Sequence, residues 1–178
     1  MLGKMEVQKN NLTKLCSFYV SDWHLVTMLL PYINQKINEQ AKIATILEKD
    51  IKQNVETLVE KLNLKNKEKI LNLNWSTQDE IKAKINELEK NQELVIFING
   101  SKEFIEKYNR KLTRYFETHL IKNEIKIINC YEVIEFNGSI TQILDEHDKI
   151  LNTSGEKEIK EVFTDYEKSN SQEQKAVV

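Results

Sequence analysis

The sequence predicts an α/β fold: a doubly wound, mostly parallel sheet of about five strands flanked by helices. Apolar runs of strand character alternate about five times with segments striped at helical spacing. The strand-like runs, "LVIFI" above all, are almost continuously apolar, as strands covered on both faces are. The 178 residues include one proline and four glycines and hold no Ser/Gly-rich linker, so a single domain accounts for them.

The elements follow in order. "LCSFYV" (15–20) is β-branched and aromatic, a strand. Trp23, Val26, Leu30, Ile33 and Ile37 then recur at spacings of three and four, a helix capped by Ser21 or Asp22. Pro31 falls inside that stripe and predicts a kink or a junction between two helical pieces. "KIATILE" (42–48) is the second strand, and Asp50 caps a helix carrying Ile51, Val55, Leu58, Val59 and Leu62. "KILNLNW" (69–75) reads as a third strand. Thr77 and Glu80 form a capping box before Ile81, Ile85 and Leu88. "ELVIFI" (93–98) ends at Asn99-Gly100-Ser101, and a long helix sets Phe104, Tyr108, Leu112, Tyr115 and Phe116 on one face. "EIKIINCYEVI" (124–134) is the fifth strand, followed by an Asn137-Gly138 turn and a short helix with Ile140, Ile143 and Leu144. Ile159, Val162, Phe163 and Tyr166 fit an amphipathic helix over 156–166, and "SNSQEQKAVV" is a polar tail expected to be disordered. The expected organisation is an extension over 1–13, the α/β domain over 14–152, and a C-terminal helix and tail over 153–178.

Charge and cysteine usage exclude several classes. Twenty-six basic against 28 acidic residues give a net charge of −2, with no basic excess to neutralise phosphates, so no nucleic-acid partner is expected. No apolar run spans a bilayer, and "MLGKMEVQKNNLTK" lacks the apolar stretch of a signal peptide, so no membrane partner is expected and the location expected is cytoplasmic. Cys16 and Cys130 lie far apart inside apolar runs, with no ligand spacing to His24, His119 or His147. They read as reduced core cysteines, and neither a metal nor a cofactor is expected. A redox pair would need adjacent strands with opposed side chains.

Nucleotide chemistry fares no better. The first strand-to-helix turn should hold a glycine-rich phosphate loop, because only glycine lets backbone N–H groups crowd around phosphates. That turn reads "VSDWHL", without glycine and with an acidic Asp22. Gly100 in "NGSKEF" is a lone glycine, which a strand-to-helix turn explains. No G-x-S-x-G elbow occurs, and the Glu/Lys-rich stretches read as solvated helix faces. The chain is therefore expected not to be an enzyme.

In open α/β sheets, ligands bind in the crevice outside the carboxyl ends of the strands. The residues expected there are Tyr19, Asp22, Trp23, His24, Glu48, Trp75, Asn99, Tyr131, Glu132 and His147, candidates for contacting a small organic ligand. Ser21, Asp50, Asn74, Ser76 and Ser101 fall at the same ends, and Asp50, Ser76 and Ser101 read better as helix caps. Trp23 and Trp75 would adjoin in a sheet ordered 2-1-3 but not in one ordered 3-2-1, and the sequence leaves both open. His147 either lines the pocket as a neutral imidazole or only caps the last helix against Tyr131.

Two segments carry a resemblance. "FYVSDWHLVTMLLPYINQKINEQAKIATILE" resembles the opening of the MEDS domain, the methanogen/methylotroph DcmR sensory domain, and "INCYEVIEFNGSITQILDEHDKIL" resembles its closing segment. The matching positions are Tyr19, Pro31, Cys130, Tyr131 and His147, while Asp148 stands where that family usually has proline. The resemblance spans roughly residues 14–152. It implies a Rossmann-like, RecA-like α/β domain without a phosphate loop. It also implies a sensory module that binds a small organic molecule and relays the signal to a separate regulatory protein partner. Two alternatives stay open: an interaction module without a small ligand, and a degenerate RecA-like nucleotide-binding protein.

Overall fold

A computed structural model describes residues 11–119, 121–135 and 140–168. The Asn137-Gly138 turn, the tail over 169–178 and most of the N-terminal extension lie outside them. The alternation in the sequence becomes β1 (Leu12–Tyr19), α1 (Asp22–Asn38), β2 (Lys42–Leu47), α2 (Lys52–Leu62), α3 (Lys67–Leu71), α4 (Ile81–Asn86), β3 (Leu94–Asn99) and α5 (Lys102–His119). Then come β4 (Ile125–Glu132), a 3-10 turn (Val133–Glu135), α6 (Ile140–Asp145), β5 (Lys149–Asn152), β6 (Gly155–Lys157) and α7 (Ile159–Val162). The strands form one sheet ordered β2-β3-β4-β1-β5-β6, parallel except for β6. The fold is a mostly parallel α/β sheet of Rossmann-like type, as expected, with neither of the expected strand orders. β1 is central, between β4 and β5.

Strand alternation divides the core in two. Leu15, Val95, Phe97, Ile128 and Cys130 pack with α1, α2 and α3 on one face. Cys16, Ile96, Ile98 and Ile127 pack with α4, α5, α6 and α7 on the other. Cys16 lies opposite Asn129, and Ser17 opposite Cys130, so the two cysteines sit on adjacent strands but on opposite faces. Both are free and buried, and burial pushes the Cys16 thiol up to about 12. They cannot form a redox pair in this register.

Four local expectations are corrected. The third strand over 69–75 is absent: Lys67–Leu71 is the helix α3, and the chain then crosses the open edge of β2, where the Thr45 hydroxyl donates to the Asn74 carbonyl. The helix is held at its start by Asn66, whose backbone N–H and side chain bond to Asn34 and whose side chain also reaches Asn38. The Leu/Asn alternation that resembles a strand comes from the end of α3, which buries Ile70, and an irregular segment after it that drops Trp75 into the core and leaves Asn74 for turn bonds. The Thr77/Glu80 capping box is also absent. The helix begins only at Ile81, whose N–H bonds to Asp79.

The expected C-terminal helix over 156–166 is instead strand β6 followed by the single turn α7, which a Glu158/Glu161 capping box opens. β5 and β6 form a hairpin that the sequence reading missed, turned over Thr153-Ser154 with Gly155 at φ +101°, a region that favours glycine. Finally, α1 continues through Pro31 as one helix, capped by Ser21, whose hydroxyl accepts from the His24 N–H. Pro31 lies on the solvent side, where water can satisfy the Thr27 carbonyl it leaves unpaired.

The amino ends of the strands are tied by charge. Lys36 near the end of α1 bonds Glu93 at 2.9 Å, and Lys126 on β4 bonds Glu156 on β6 at 2.9 Å. Burial pulls the Lys36 ammonium down, but its bonds to Glu93 and Glu39 outweigh that and hold it above the usual lysine range. Among the described residues, no helix is long and apolar enough to cross a membrane.

Candidate functional site

The expected site residues fall into three places. Tyr19, Asp22, Trp23, His24, Glu48, Asn99 and Glu132 do gather around the carboxyl ends of the strands. Most of the polar ones are occupied in building loops. The Asn99 amide donates to the Tyr19 hydroxyl at 2.6 Å and to the Cys130 carbonyl at 3.1 Å, bridging β3 to β1 and β4. Burial, above all, pushes the Tyr19 phenol up to about 12. Glu48 accepts from the backbone and hydroxyl of Ser101, which in turn caps α5 through the Phe104 N–H. Asp22 pairs with Lys49 at 2.7 Å, and His24 Nδ1 accepts from the Val20 N–H, closing the β1–α1 turn. A Cβ on Gly100 would stand 2.6 Å from the Phe104 ring and 2.8 Å from the Glu48 Cβ. Tight packing therefore requires that glycine without any phosphate.

Trp75 is elsewhere. It is buried against α1–α3, with Nε1 donating to the Ile70 carbonyl at 2.8 Å, and its own carbonyl accepts from the Ile51 N–H beside β2. Trp23 is 49% exposed at the start of α1. Trp23 follows β1 and Trp75 lies beside β2, with β3 and β4 between them, so the two indoles do not share a pocket.

Tyr131 and His147 lie on the other face, beneath α5 and α6, and there they line a cavity of about 640 Å³. Its floor is a chain of amides and an imidazole. Asn109 on α5 and Asn129 on β4 exchange two hydrogen bonds, 2.7 and 2.9 Å long. The Asn129 amide also donates to His147 Nε2 at 2.9 Å, while His147 Nδ1 bonds the Ile143 carbonyl of α6 at 2.5 Å. A carbonyl can only accept, so Nδ1 carries the proton and the ring is neutral. Burial holds the His147 imidazole down at about 4; the Ile143 carbonyl opposes that, and nearby Lys14 adds to it. His147 thus does both things expected of it as alternatives: it caps α6 and it lines the cavity. Tyr131 packs edge-on to His147 and stacks on Phe18. The Thr113 hydroxyl, also in the lining, is buried without a hydrogen-bond partner.

Of the lining, the sequence reading named only Tyr131 and His147; it missed Asn109, Asn129, Arg110, Thr113 and Arg114 among others. Two signals were legible. Asn129 interrupts the apolar run "IKIINCY", and Arg110 and Arg114 are the only arginines in the chain, one turn apart on one helix.

Fold and cavity together define a mostly parallel α/β domain with a polar-floored pocket on one sheet face, not at a phosphate-binding turn. Among the described residues, no group of three or more His, Cys, Asp or Glu side chains is arranged to hold a metal ion. No protein-family model matches the chain, and neither the curated proteins nor the solved structures contain a match to it.

Proposed function

We propose that this domain is a non-enzymatic sensory module that binds a small organic molecule between α5 and α6 and relays its presence to a separate regulatory protein. The observation that carries the reading is the cavity over β4, whose floor ties three elements together through Asn109, Asn129 and His147. A volume of about 640 Å³ is in the range of small-molecule sites. The resemblance of the two end segments to the MEDS sensory domain points the same way. Catalysis has little to work with at this site: His147 is neutral with both ring nitrogens engaged, and neither cysteine lines the cavity.

Relay has a physical route. A ligand that spreads α5 from α6 strains the bond between His147 and Asn129, and so shifts α6 relative to β4. The segment after β4 carries Val133 and Ile134, 46% and 79% exposed, and the exposed Val20 and Trp23 follow β1, whose last residue Tyr19 pairs with Glu132; together they offer exposed apolar side chains at adjoining strand ends for a partner to read. That patch is also the observation favouring a pure interaction module.

Thermal unfolding against metabolite pools separates the two, because a ligand that binds only the folded state raises Tm. The sensor reading expects a Tm rise that Thr113→Trp, filling the cavity, removes. No rise with any pool, together with capture of a protein that Val133→Asp and Ile134→Asp abolish, would leave the interaction module standing alone. Micromolar ATP binding by calorimetry would favour the degenerate nucleotide-binding reading instead.

A further inference from the structure

The side of α5 that faces the cavity is polar throughout. Glu106, Asn109, Arg110, Thr113, Arg114 and Glu117 line it at spacings of three and four, one continuous stripe along the helix. Helices lying side by side on a sheet ordinarily meet through apolar contacts. Here the apolar stripe of α5, with Ile105, Leu112 and Phe116, is spent on the core beneath. α6 answers across the gap with Gln142 and Glu146. Among the described residues no aliphatic residue lines the cavity, and its only carbocyclic aromatic, Tyr131, is 3% exposed.

The charges of the lining cancel, and the two signs are mixed in space. Lys14, Arg110 and Arg114 stand against Glu106, Glu117 and Glu146. α6 returns to the amino end of β5, where the Asp148 N–H donates to the Lys14 carbonyl and its carboxylate accepts from the Lys14 N–H. Glu146, just after α6, therefore lies at the same end of the cavity as Lys14. α5 runs from the carboxyl end of β3 to the amino end of β4, which brings Arg114 and Glu117 to that end too. Apart from Glu106, 3.8 Å from Lys102, none of these six has an ion-pair partner within 4 Å among the described residues. Acids and bases share one cavity, yet do not pair with one another.

This lining suits one ligand chemistry. An apolar molecule would take water from six charges and return no hydrogen bonds. An anion or a cation would meet its own sign beside the opposite one. A hydroxyl group meets no such conflict, because it donates to a carboxylate and accepts from a guanidinium or ammonium at once. Resting on the reading of this cavity as a ligand site, we infer that its ligand class is an uncharged polyhydroxy compound, a monosaccharide or cyclitol, whose hydroxyls bridge the acids and bases of the lining. Arg110 and Arg114 each offer several donors in a planar fork, and the exposed Gln142 amide offers both a donor and an acceptor.

The test uses the full chain with glucose, galactose, ribose and myo-inositol. Binding is read by calorimetry at millimolar concentration, below the range in which polyols stabilise proteins generally by exclusion from their surface. The controls are glucuronate, 6-amino-6-deoxyglucose and cyclohexanol: a sugar ring with a negative charge, one with a positive charge, and a ring with a single hydroxyl. At least one of the four polyols is expected to bind at least about tenfold more tightly than every control. Arg114→Ala and Glu146→Ala are each expected to weaken that binding about tenfold, the size of one charge-assisted hydrogen bond. Both side chains are exposed, so the ligand-free Tm is expected to stay in place. Thr113→Trp is expected to abolish the binding. No binding by any of the four, binding no tighter than a control, or binding indifferent to any of these three substitutions overturns the polyol assignment. If a charged or apolar metabolite then raises Tm in a way that Thr113→Trp abolishes, the cavity stands as a ligand site and only the polyol is lost. If no polyol binds and no metabolite pool moves Tm, both readings fall together.

Discussion

On the face covered by α1, α2 and α3, the buried polar side chains act singly, Asn99 and Lys36 toward the strand ends and Ser17 and Thr45 on backbone carbonyls; on the face covered by α5 and α6 they are linked in a chain through the middle. The first face has an apolar centre built around Leu29, Ile33, Phe97 and Trp75, closed by Tyr19–Asn99 at one end and Lys36–Glu93 at the other. The second face interrupts its core with Asn129, Asn109 and His147, and keeps a cavity above them. A buried polar chain stabilises less than apolar packing of the same volume and becomes costly when any member loses its partner.

The largest effect expected from breaking this contrast is on the apolar face. Trp75→Ala should cost about 3–5 kcal/mol in urea unfolding, the range for truncating a buried aromatic, because it empties the core and removes the indole bond to the Ile70 carbonyl. Ligand affinity measured well below the new Tm should not change. A loss of binding without loss of stability would return Trp75 to the ligand site.

Next in size is the pH dependence set by His147. Its folded-state pKa is about 4 against an ordinary 6.5, so the unfolded chain binds the extra proton first. The contribution is fully present above pH 6.5 and falls as pH drops from 6.5 toward 4. Over that window it amounts to roughly 3 kcal/mol by linkage. Denaturation curves across this range should lose about one proton's worth of slope in His147→Gln. An unchanged slope would mean that the imidazole is not buried in its neutral form.

Asn129→Ala is expected to cost about 1–3 kcal/mol, the usual penalty for leaving buried groups without partners, here the Asn109 amide and His147 Nε2. Restoring part of that with Asn129→Ala/His147→Leu, which removes both ends of one bond, would show in a double-mutant cycle that the two act as a unit. The smallest effect is expected at the half-exposed Trp23, where Trp23→Ala should shift stability by no more than about 0.5 kcal/mol. Its fluorescence should be quenched readily by iodide, and that of Trp75 should not.

The sequence by itself determined the alternation of elements, four of the six strands among the described residues, a helix cap at Ser21 or Asp22, and the reduced, buried state of both cysteines. Those properties rest on periodicity and local chemistry, which neighbouring residues carry. It failed where a pattern had two physical readings. In "KILNLNW" alternation looked like a strand, yet Asn66 and its partners on α1 made the first half a helix, and the edge of β2 took up the rest. "KILNTSGEK" hid a hairpin because its strands are short and the partner that docks β5 on the sheet, β1, is distant in the chain. Strand order was decided by tertiary structure alone, and with it the candidate site. The parallel register of β1 and β4 puts Cys16 and Cys130 on opposite faces, and separates Tyr131 and His147 from Tyr19 and Asn99. Asn109, Asn129 and His147, spread over 39 positions of the chain, meet only because α5 and α6 cover the same face of one strand. Side-chain direction alternates residue by residue along a strand, so a list of residues at strand ends cannot say which face each one serves.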